Sequence, residues 1–361
     1  MPTRRKTIAV VTGSRAESGL LLSTMHAIKA HPLLTLRIIA AGSHLVQGSW
    51  RDIQEAGLKI DAKVKMQVKG RSGRAADTDA LGRGVVGLGE AFTKLRPDFV
   101  VVLGDRIEVL AAACAATTGG YRLAHIHGGD RAEGLADEAI RHAVSKLAHL
   151  HFPATAQSRK RLVRMGEAVE QIHRVGSPAV DGLNAITPSP GAPDLIVMQH
   201  PAGGSDAEEA SGMRATLQAT RGYRRIVMMP NLDAGGEGIR KALRGAKVQP
   251  IEHMPRTEFL TVLKGAKMIV GNSSAGLIEA AAMRVPCVNI GPRQNGRDKP
   301  GNVIDCGYGK QDVARAIKKA LKIDLRRMRH PYGDGHAGQR IADRLALTSL
   351  SVVPLRKQNS Y

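Results

Sequence analysis

The stretch Asp98-Phe-Val-Val-Val-Leu-Gly-Asp-Arg106 decides the predicted fold, because a continuous apolar run ends there in a short polar turn. An apolar run without alternating polar positions is typical of a strand that is buried on both faces of a parallel sheet. An alanine-rich helix is predicted over 109–117, and a second apolar strand over 122–126. This strand–helix–strand order predicts a parallel α/β sheet.

The same alternation continues on both sides of this stretch and fills the 361-residue chain, which is long enough for two hydrophobic cores. A linker, Thr187-Pro-Ser-Pro-Gly-Ala-Pro193, separates the two halves. We predict an α/β fold of two Rossmann-like domains with the ligand site in a cleft between them. The predicted divisions are a first domain over 1–185, a second over 186–330 and a terminal helical segment over 331–361.

The boundaries of the individual elements follow from the apolar runs and the turn residues between them. In the first half, strands are predicted over 7–12, 36–41, 98–103, 122–126 and 149–152. In the second half, strands are predicted over 194–198, 225–229, 248–251, 268–270 and 286–290. One helix of the second half is predicted over 275–283, and the last helix of the chain over 337–349.

The composition limits the class of partner. The formal net charge is +21, which fits either a basic site for a phosphorylated ligand or a surface for a polyanion. Basic residues are spread along the chain, and aromatic residues make up only 3%. Single-stranded nucleic-acid binding relies on stacked aromatic side chains, so we expect no nucleic-acid partner.

The cellular setting is predicted from what the sequence lacks. The three cysteines form no C-x-x-C pair, as expected for reduced thiols in a cytoplasmic protein. The first apolar run is too short for the core of a signal peptide. No run reaches the roughly 18 apolar residues of a transmembrane helix, so no membrane partner is expected.

Polar side chains follow two neighbouring strands of the first half. Gly104-Asp-Arg106 ends one strand, His125-Ile-His-Gly-Gly-Asp130 ends the next, and Asp137-Glu-Ala-Ile-Arg-His142 opens the following helix. The ends of neighbouring parallel strands lie at one edge of the sheet, where open α/β sheets bind their ligands. Arg106 and the acids therefore predict an active site for an anionic substrate.

Carboxylates and histidines together allow one group to act as a base and another as an acid, when their surroundings separate their pKa values. The candidate catalytic residues are Asp105, Asp137, His127 and Asp130. Local roles are the alternative, since Asp105 can pair with Arg106 and Asp137 can cap its helix. No metal is expected, because no zinc-type ligand motif accompanies the histidines.

Glycine- and serine-rich turns after other strands predict phosphate contacts. Gly271-Asn-Ser-Ser-Ala-Gly-Leu-Ile-Glu279 follows a strand and opens a predicted helix, where backbone N–H groups and the helix dipole favour a diphosphate. A serine N-cap is the alternative. Gly13-Ser-Arg-Ala16 is equally consistent with an anion-binding turn and with an ordinary turn between a strand and a helix. Arg293 lies in a glycine-flanked loop, and His200 and Asn231 end two strands.

These segments resemble the UDP-N-acetylglucosamine 2-epimerase family, and most closely its hydrolysing branch of the sialic and legionaminic acid pathways. Matching strings occur in family order over nearly the whole chain. Beyond those quoted above, they are Val175-Gly-Ser-Pro178, Asn231-Leu-Asp-Ala-Gly235, Gly291-Pro-Arg-Gln-Asn-Gly-Arg297 and Pro331-Tyr-Gly-Asp-Gly335.

The resemblance implies a fold like that of B-type glycosyltransferases, with the nucleotide held mainly by the second domain and the terminal helix packed on the first. It implies conversion of UDP-GlcNAc into N-acetylmannosamine and UDP, by anti elimination through 2-acetamidoglucal and then hydration. It implies no cofactor, and a homodimer or homotetramer as the assembly.

The resemblance also implies roles for individual residues. Asp105 and Asp137 match catalytic carboxylates, and His127 stands where several members carry a catalytic glutamate, so that His127 or Asp130 takes its place. Contacts to the nucleotide, its phosphates or its ribose are implied for Arg15, His200, Ser273, Ser274, Glu279 and Arg293. Gly271, Asn231 and Arg106 complete the predicted binding set.

Three alternatives remain open from the sequence. The substrate of a hydrolysing epimerase can instead be GDP-GlcNAc or a UDP-diacetamido sugar. A non-hydrolysing epimerase is disfavoured by the Leu-Gly-Asp-Arg and Asp-Ala-Gly strings. A non-catalytic nucleotide-sugar-binding protein is the alternative from another class, and it predicts binding without turnover.

Overall fold

The computed structural model describes residues 4–71, 73–133, 137–231, 235–358 and 360, apart from the side chain of Asp137. The chain divides into two compact units. Unit 1 comprises Met1–Asp130, Ala136–Asp181 and Gly333–Tyr361. Unit 2 comprises Arg131–Leu135 and Gly182–Tyr332.

Unit 1 contains a six-stranded parallel sheet. Its strands are β1 (Lys6–Thr12), β2 (Leu34–Ala41), β3 (Ala62–Val64), β4 (Phe99–Leu103), β5 (Arg122–Ile126) and β6 (Leu150–Phe152). They lie in the order β3-β2-β1-β4-β5-β6, which is the doubly wound order of dinucleotide-binding domains. Every residue of β4 is buried, because helices cover both faces of the sheet.

The helices of unit 1 cover apolar clusters on the two faces of this sheet. They are α1 (Arg15–Ala30), α2 (Ser43–Gln47), α3 (Arg51–Glu55), α4 (Arg74–Leu95), α5 (Ile107–Thr118), α6 (Asp137–Leu147) and α7 (Ala156–Arg164). Ser14 caps α1, since its side chain accepts a hydrogen bond from the backbone N–H of Glu17.

Unit 2 contains a five-stranded parallel sheet. Its strands are β7 (Leu195–Met198), β8 (Arg225–Val227), β9 (Met268–Gly271), β10 (Cys287–Ile290) and β11 (Val303–Cys306). Their order, β11-β10-β9-β7-β8, is the flavodoxin-like doubly wound order. The helices are α8 (Asp206–Ala219), α9 (Gly236–Gly245), α10 (Arg256–Gly265), α11 (Glu279–Ala282) and α12 (Lys310–Ala320). The predicted α/β class with two parallel sheets is therefore confirmed.

Two predicted elements are altered in the structure, and two strands were not predicted. The strand predicted over 248–251 is reduced to an isolated bridge between Met228 and Ile251, because Pro250 has no N–H to donate to a ladder. The helix predicted over 275–283 is wrong as a single helix: a 3₁₀ turn over Ser274–Gly276 precedes the short α11. Strands β3 and β11 were not predicted, since each is an edge strand of only three or four residues.

The helix α13 (Ala337–Leu347) packs against α1 within unit 1. Gly338 permits the close approach, because a Cβ there would lie 2.7 Å from the carbonyl carbon of Ser23. Asp181 accepts hydrogen bonds from the backbone N–H groups of Ala337 and Gly338, at 2.8 and 2.7 Å, and so caps the helix. Within the described ranges, no helix combines the length and apolar character needed to cross a membrane.

The packing of α13 gives a matched test of its contribution to stability. Leu345 is fully buried in the core of unit 1, whereas Leu347 on the same helix is 73% exposed. We expect Leu345→Ala to lower the free energy of unfolding by about 2–5 kcal/mol, because it removes buried methyl groups and leaves a cavity. Leu347→Ala should change it by less than about 0.5 kcal/mol. Urea denaturation of both variants measures the difference, and equal losses would contradict this packing.

Candidate functional site

The topology of unit 1 places two turns side by side. Strands β1 and β4 are neighbours at the point where the strand order reverses. The turn Gly13-Ser-Arg15 follows β1, and Gly104-Asp-Arg106 follows β4. In doubly wound sheets a crevice opens at this switch point beyond the carboxyl ends of the strands. Arg15, Asp105 and Arg106, all partly buried, thus lie at the edge where this fold binds ligands.

A buried arginine links the carboxylates of unit 1. Arg141, one turn into α6 and only 4% exposed in its side chain, pairs with the carboxylate of Asp105. The same guanidinium lies 3.8 Å from Oδ2 of Asp130. The side chain of Asp105 remains 19% exposed, whereas that of Asp130 is 3% exposed. Asp105 is therefore the more accessible of the two carboxylates that face Arg141.

Asp130 and His127 form a closed hydrogen-bond network. Ser158 donates from Oγ to Oδ1 of Asp130 at 2.6 Å, and the ring Nδ1 of His127 lies 3.1 Å from Oδ2. The other ring nitrogen, Nε2, lies 2.9 Å from Oγ of Ser177. A neutral ring that donates from Nδ1 to the carboxylate and accepts the serine hydroxyl satisfies all these contacts. Both residues are thus engaged with protein groups, and both are buried.

Glycine allows this network to pack. His127 itself adopts a left-handed conformation with φ 64°. A Cβ at Gly129, where φ is 75°, would lie 2.3 Å from the carbonyl oxygen of Ser158. Only glycine permits that approach of α7 to the loop. The His-Gly-Gly-Asp string is therefore explained by the turn it must make as well as by its polar groups.

His125 supports the Gly104 turn from beneath. Its Nε2 lies 2.8 Å from the carbonyl oxygen of Gly104, and its Nδ1 lies 3.1 Å from Oγ of Ser145. Burial lowers the pKa of His125 to about 3, so the ring is neutral at physiological pH. It holds the turn that carries Asp105. Asp137 opens α6, and its side chain lies outside the described residues.

The topology of unit 2 creates a second switch point, between β7 and β9. His200 follows β7, and its backbone N–H donates to Oδ1 of Asn272 at 2.7 Å, while Nδ2 of Asn272 donates to the carbonyl oxygen of His200 at 2.8 Å. The backbone N–H of Asn231 donates to Nδ1 of His200 at 3.2 Å. This bond orients the imidazole ring of His200 at the end of β7.

Gly271 brings the two strands close at this point. Its φ of 144° is unfavourable for side chains, and a Cβ would lie 2.0 Å from the carbonyl oxygen of Met198. The backbone N–H of Asn272 donates to that oxygen at 3.1 Å. The carbonyl oxygen of Asn272 in turn accepts from Nη1 of Arg293 at 3.1 Å and from Nε2 of Gln294 at 2.9 Å. Arg293 is therefore placed beside the same turn.

The serines and the glutamate of the motif lie on different elements. Ser273 caps the 3₁₀ turn that Ser274 begins, with its Oγ accepting from the backbone N–H of Ala275 at 3.3 Å. Glu279 begins α11, is buried, and pairs with Nη1 of Arg256 at 3.0 Å. The arginine holds this carboxylate in place.

Three supporting residues were not selected from the sequence. Arg141 lies four residues after Asp137 in the quoted Asp137–His142 segment. This spacing places both residues on one face of a helix, and it was the available signal. Asn272 stands between two selected residues. Arg256 is far from Glu279 in the sequence, so no local pattern indicates the pair. Among the described residues, no group of three or more acids, histidines and cysteines is arranged to hold a metal ion.

Two doubly wound units of this kind define a B-type glycosyltransferase-like fold. The chain belongs to the UDP-N-acetylglucosamine 2-epimerase family, whose model matches residues 26–346, and it is an enzyme of that family. A solved structure of Methanocaldococcus jannaschii UDP-GlcNAc 2-epimerase, in complex with UDP-GlcNAc and UDP, has a TM-score of 0.78 at 20% identity. The match covers 95% of this chain and 100% of that one.

Two curated relatives are similar in sequence. One is the hydrolysing UDP-N,N'-diacetylbacillosamine 2-epimerase of Legionella pneumophila, which is 32% identical over 98% of this chain and 99% of its own length. The other is the UDP-N-acetylglucosamine 2-epimerase of Neisseria meningitidis, which is 31% identical over 88% of each chain.

The close contact at Gly271 can be tested by adding one methyl group. We expect Gly271→Ala to destabilise the protein by about 2 kcal/mol or more, because the new Cβ clashes with the β7 backbone and the conformation is strained. Gly245, on α9, has no atom within 4 Å of a Cβ built there. Gly245→Ala should leave the thermal unfolding temperature unchanged or raise it slightly. A Gly271→Ala protein as stable as this control would refute the contact.

Proposed function

We propose that the protein is a hydrolysing nucleotide-sugar 2-epimerase, which converts UDP-GlcNAc into N-acetylmannosamine and UDP. The observation that supports this most directly is the partly exposed carboxylate of Asp105, held by the buried Arg141 at the switch point of unit 1. A carboxylate that is oriented in this way and remains partly exposed is suited to abstract a proton.

The proposed reaction has two stages. In the first, a base removes the proton from carbon 2 of the sugar, the C1–O bond breaks, and UDP departs with that bonding pair. The product of this anti elimination is 2-acetamidoglucal. In the second stage, water adds its hydroxyl at carbon 1 and a proton returns to carbon 2 on the opposite face. The net reaction consumes one water molecule and requires no oxidant.

The described carboxylates of unit 1 are assigned by their accessibility, and Asp137 is assigned from the resemblance. Asp105 acts as the base at carbon 2, and Asp137, at the start of α6, supplies the second acid–base group. His127 and Asp130 bond to each other and are buried, so we assign them to positioning Asp105 through Arg141. In this proposal, the position where several family members carry a catalytic glutamate is occupied by His127, which belongs to a buried hydrogen-bond network.

The leaving group needs cations and N–H donors, because it departs with a negative charge. In unit 2 we assign Ser273, Ser274 and His200 to the diphosphate. Glu279 is assigned to the ribose, and the remaining proposed contacts are Gly271, Asn231, Arg293, Arg15 and Arg106. Homodimeric or homotetrameric assembly, which the resemblance implies, stays a prediction. A cytoplasmic location, which the cysteines and the short first apolar run indicate, also stays a prediction.

A second substrate is favoured by a specific observation. The Legionella pneumophila relative, which aligns over nearly its whole length, is named for a UDP-diacetamido sugar. Both sugars carry the 2-acetamido group on the carbon that is deprotonated, so the same residues of unit 1 serve either one. The choice between them depends on the pocket for carbon 4 of the sugar.

Incubation with UDP-GlcNAc, UDP-N,N'-diacetylbacillosamine or GDP-GlcNAc in deuterated water, followed by NMR, tests the reaction. We expect free UDP together with a reducing 2-epimer that carries deuterium at carbon 2. A deuterated sugar still linked to UDP would identify a non-hydrolysing epimerase. Unlabelled GlcNAc would identify simple hydrolysis, and bound but intact nucleotide sugar would identify a non-catalytic binding protein.

The assignment of Asp105 predicts a separation of catalysis from binding. Asp105→Asn should lower kcat/KM by at least about 100-fold, because the amide cannot accept the proton, and leave UDP affinity nearly unchanged. Asp79→Asn, at a 47% exposed carboxylate on α4, is the matched control and should be as active as the wild type. Steady-state UDP release and calorimetric UDP binding measure the two effects. An active Asp105→Asn enzyme would exclude Asp105 as the base.

A further inference from the structure

Two glutamates with no assigned role lie beneath the turns of unit 1. Glu17, in the first turn of α1, is 5% exposed, and Glu108, in the first turn of α5, is fully buried. Buried carboxyl groups are costly unless they are neutralised or fully hydrogen-bonded. Two of them at one switch point therefore need an explanation.

Glu108 contacts the segments that follow four neighbouring strands. A Cβ at Gly13, after β1, or at Gly42, after β2, would lie 2.4 Å from its Cγ. Its Oε1 accepts from the backbone N–H of Ser43 at 3.4 Å and from Nε2 of Gln67, beyond β3, at 2.8 Å. Its Oε2 lies 3.6 Å from Nε of Arg106, in the turn after β4.

Glu17 holds the first of these turns from the other side. Its Oε2 accepts from the backbone N–H of Gly13 at 3.1 Å. Among the described residues, neither Oε1 of Glu17 nor Oε2 of Glu108 has a hydrogen-bond partner, although both atoms are buried. One proton on this pair neutralises one carboxyl and leaves a single charge for Arg106.

We propose that Glu17 and Glu108 are a positioning pair, which holds one proton and fixes the turn of Arg15 against the turn of Asp105 and Arg106. Neither glutamate is assigned a contact with substrate, so the pair acts through the residues that it places. The predicted effect of the pair on turnover rests on the proposed function. The predicted effects on stability and on the two turns do not.

The charges around the pair agree with this arrangement. Burial, and next the charge of Glu108, raise the pKa of Glu17 to about 8. Besides Arg106, the titratable groups at these turns include Arg15, which begins α1, and His44 on α2, whose backbone N–H donates to the carbonyl oxygen of Gly13. Burial, then the charge of Arg15, lower the pKa of His44 to about 4, so His44 does not titrate where Glu17 does. Above pH 8, ionised Glu17 and Glu108 repel each other beneath the two turns.

The activity test compares pH profiles of kcat/KM. The wild type should lose about tenfold between pH 7 and pH 9, because a group with a pKa of about 8 is then mostly ionised. Glu17→Gln mimics the protonated form and should lose less than threefold over the same range. Glu108→Gln should lower kcat/KM at pH 7 at least tenfold. A Glu17→Gln profile that matches the wild type would overturn the proposal.

The structural test needs no substrate. A folded-state pKa raised to about 8 stabilises the fold at low pH, and this stabilisation is lost as pH rises toward 8 because the unfolded glutamate ionises first. The urea midpoint of Glu17→Gln should therefore rise relative to the wild type between pH 5 and pH 8. Glu90→Gln, at an exposed site on α4, should show no such trend.

Hydrogen exchange distinguishes an effect of the pair on the two turns from an effect on the stability of the whole fold. After correction for intrinsic rates, peptides covering 12–18 and 104–110 should exchange faster at pH 9 than at pH 7 in the wild type, and equally in Glu17→Gln. If the urea and exchange results hold but no nucleotide sugar is turned over, the proposed function fails and the pair stands. If turnover occurs with pH-independent exchange, the pair fails and the function stands.

Discussion

The buried guanidinium of Arg141 is the charge on which the arrangement of carboxylates in unit 1 depends. A buried cation must be paired, because the low-dielectric interior does not replace its hydration. Arg141 meets this requirement with Asp105 after β4 and Asp130 after β5. Three segments that are distant in sequence are thereby fixed relative to one another. Asp130 extends the network to Ser158 and His127, so the contacts of one guanidinium connect the loops that follow β4 and β5.

The two units share one topological feature, a single reversal of strand order, but carry different residues at it. Each parallel sheet reverses its strand order once, and each reversal brings together the turns after two neighbouring strands. In unit 1 those turns carry Asp105 and Arg15, which suit acid–base chemistry and anion binding. In unit 2 they carry His200 and the glycine- and serine-rich turn after β9. Gly271 makes that turn possible, since any side chain would strike the backbone of β7.

Local patterns predicted most of the fold and part of the site. The apolar runs of β4 and β5 are recognisable because both faces of a parallel strand are buried, and Asp105 follows β4 directly. The edge strands β3 and β11 were missed because runs of three and four residues are too short to show a clear pattern. The Arg256–Glu279 pair was missed for a related reason: pairing across 23 positions leaves no local signal.

The sequence by itself determined the α/β class, the position of the acidic and glycine-rich turns at strand ends, and the family, because these depend on residues that are close together in the chain. Only the tertiary structure decided how the groups of each turn are engaged. It buried His127 and Asp130 in mutual hydrogen bonds, left Asp105 partly exposed beside Arg141, and buried both Glu17 and Glu108 beneath the turns. The physical reason is that accessibility and protonation depend on neighbours that are brought together by packing.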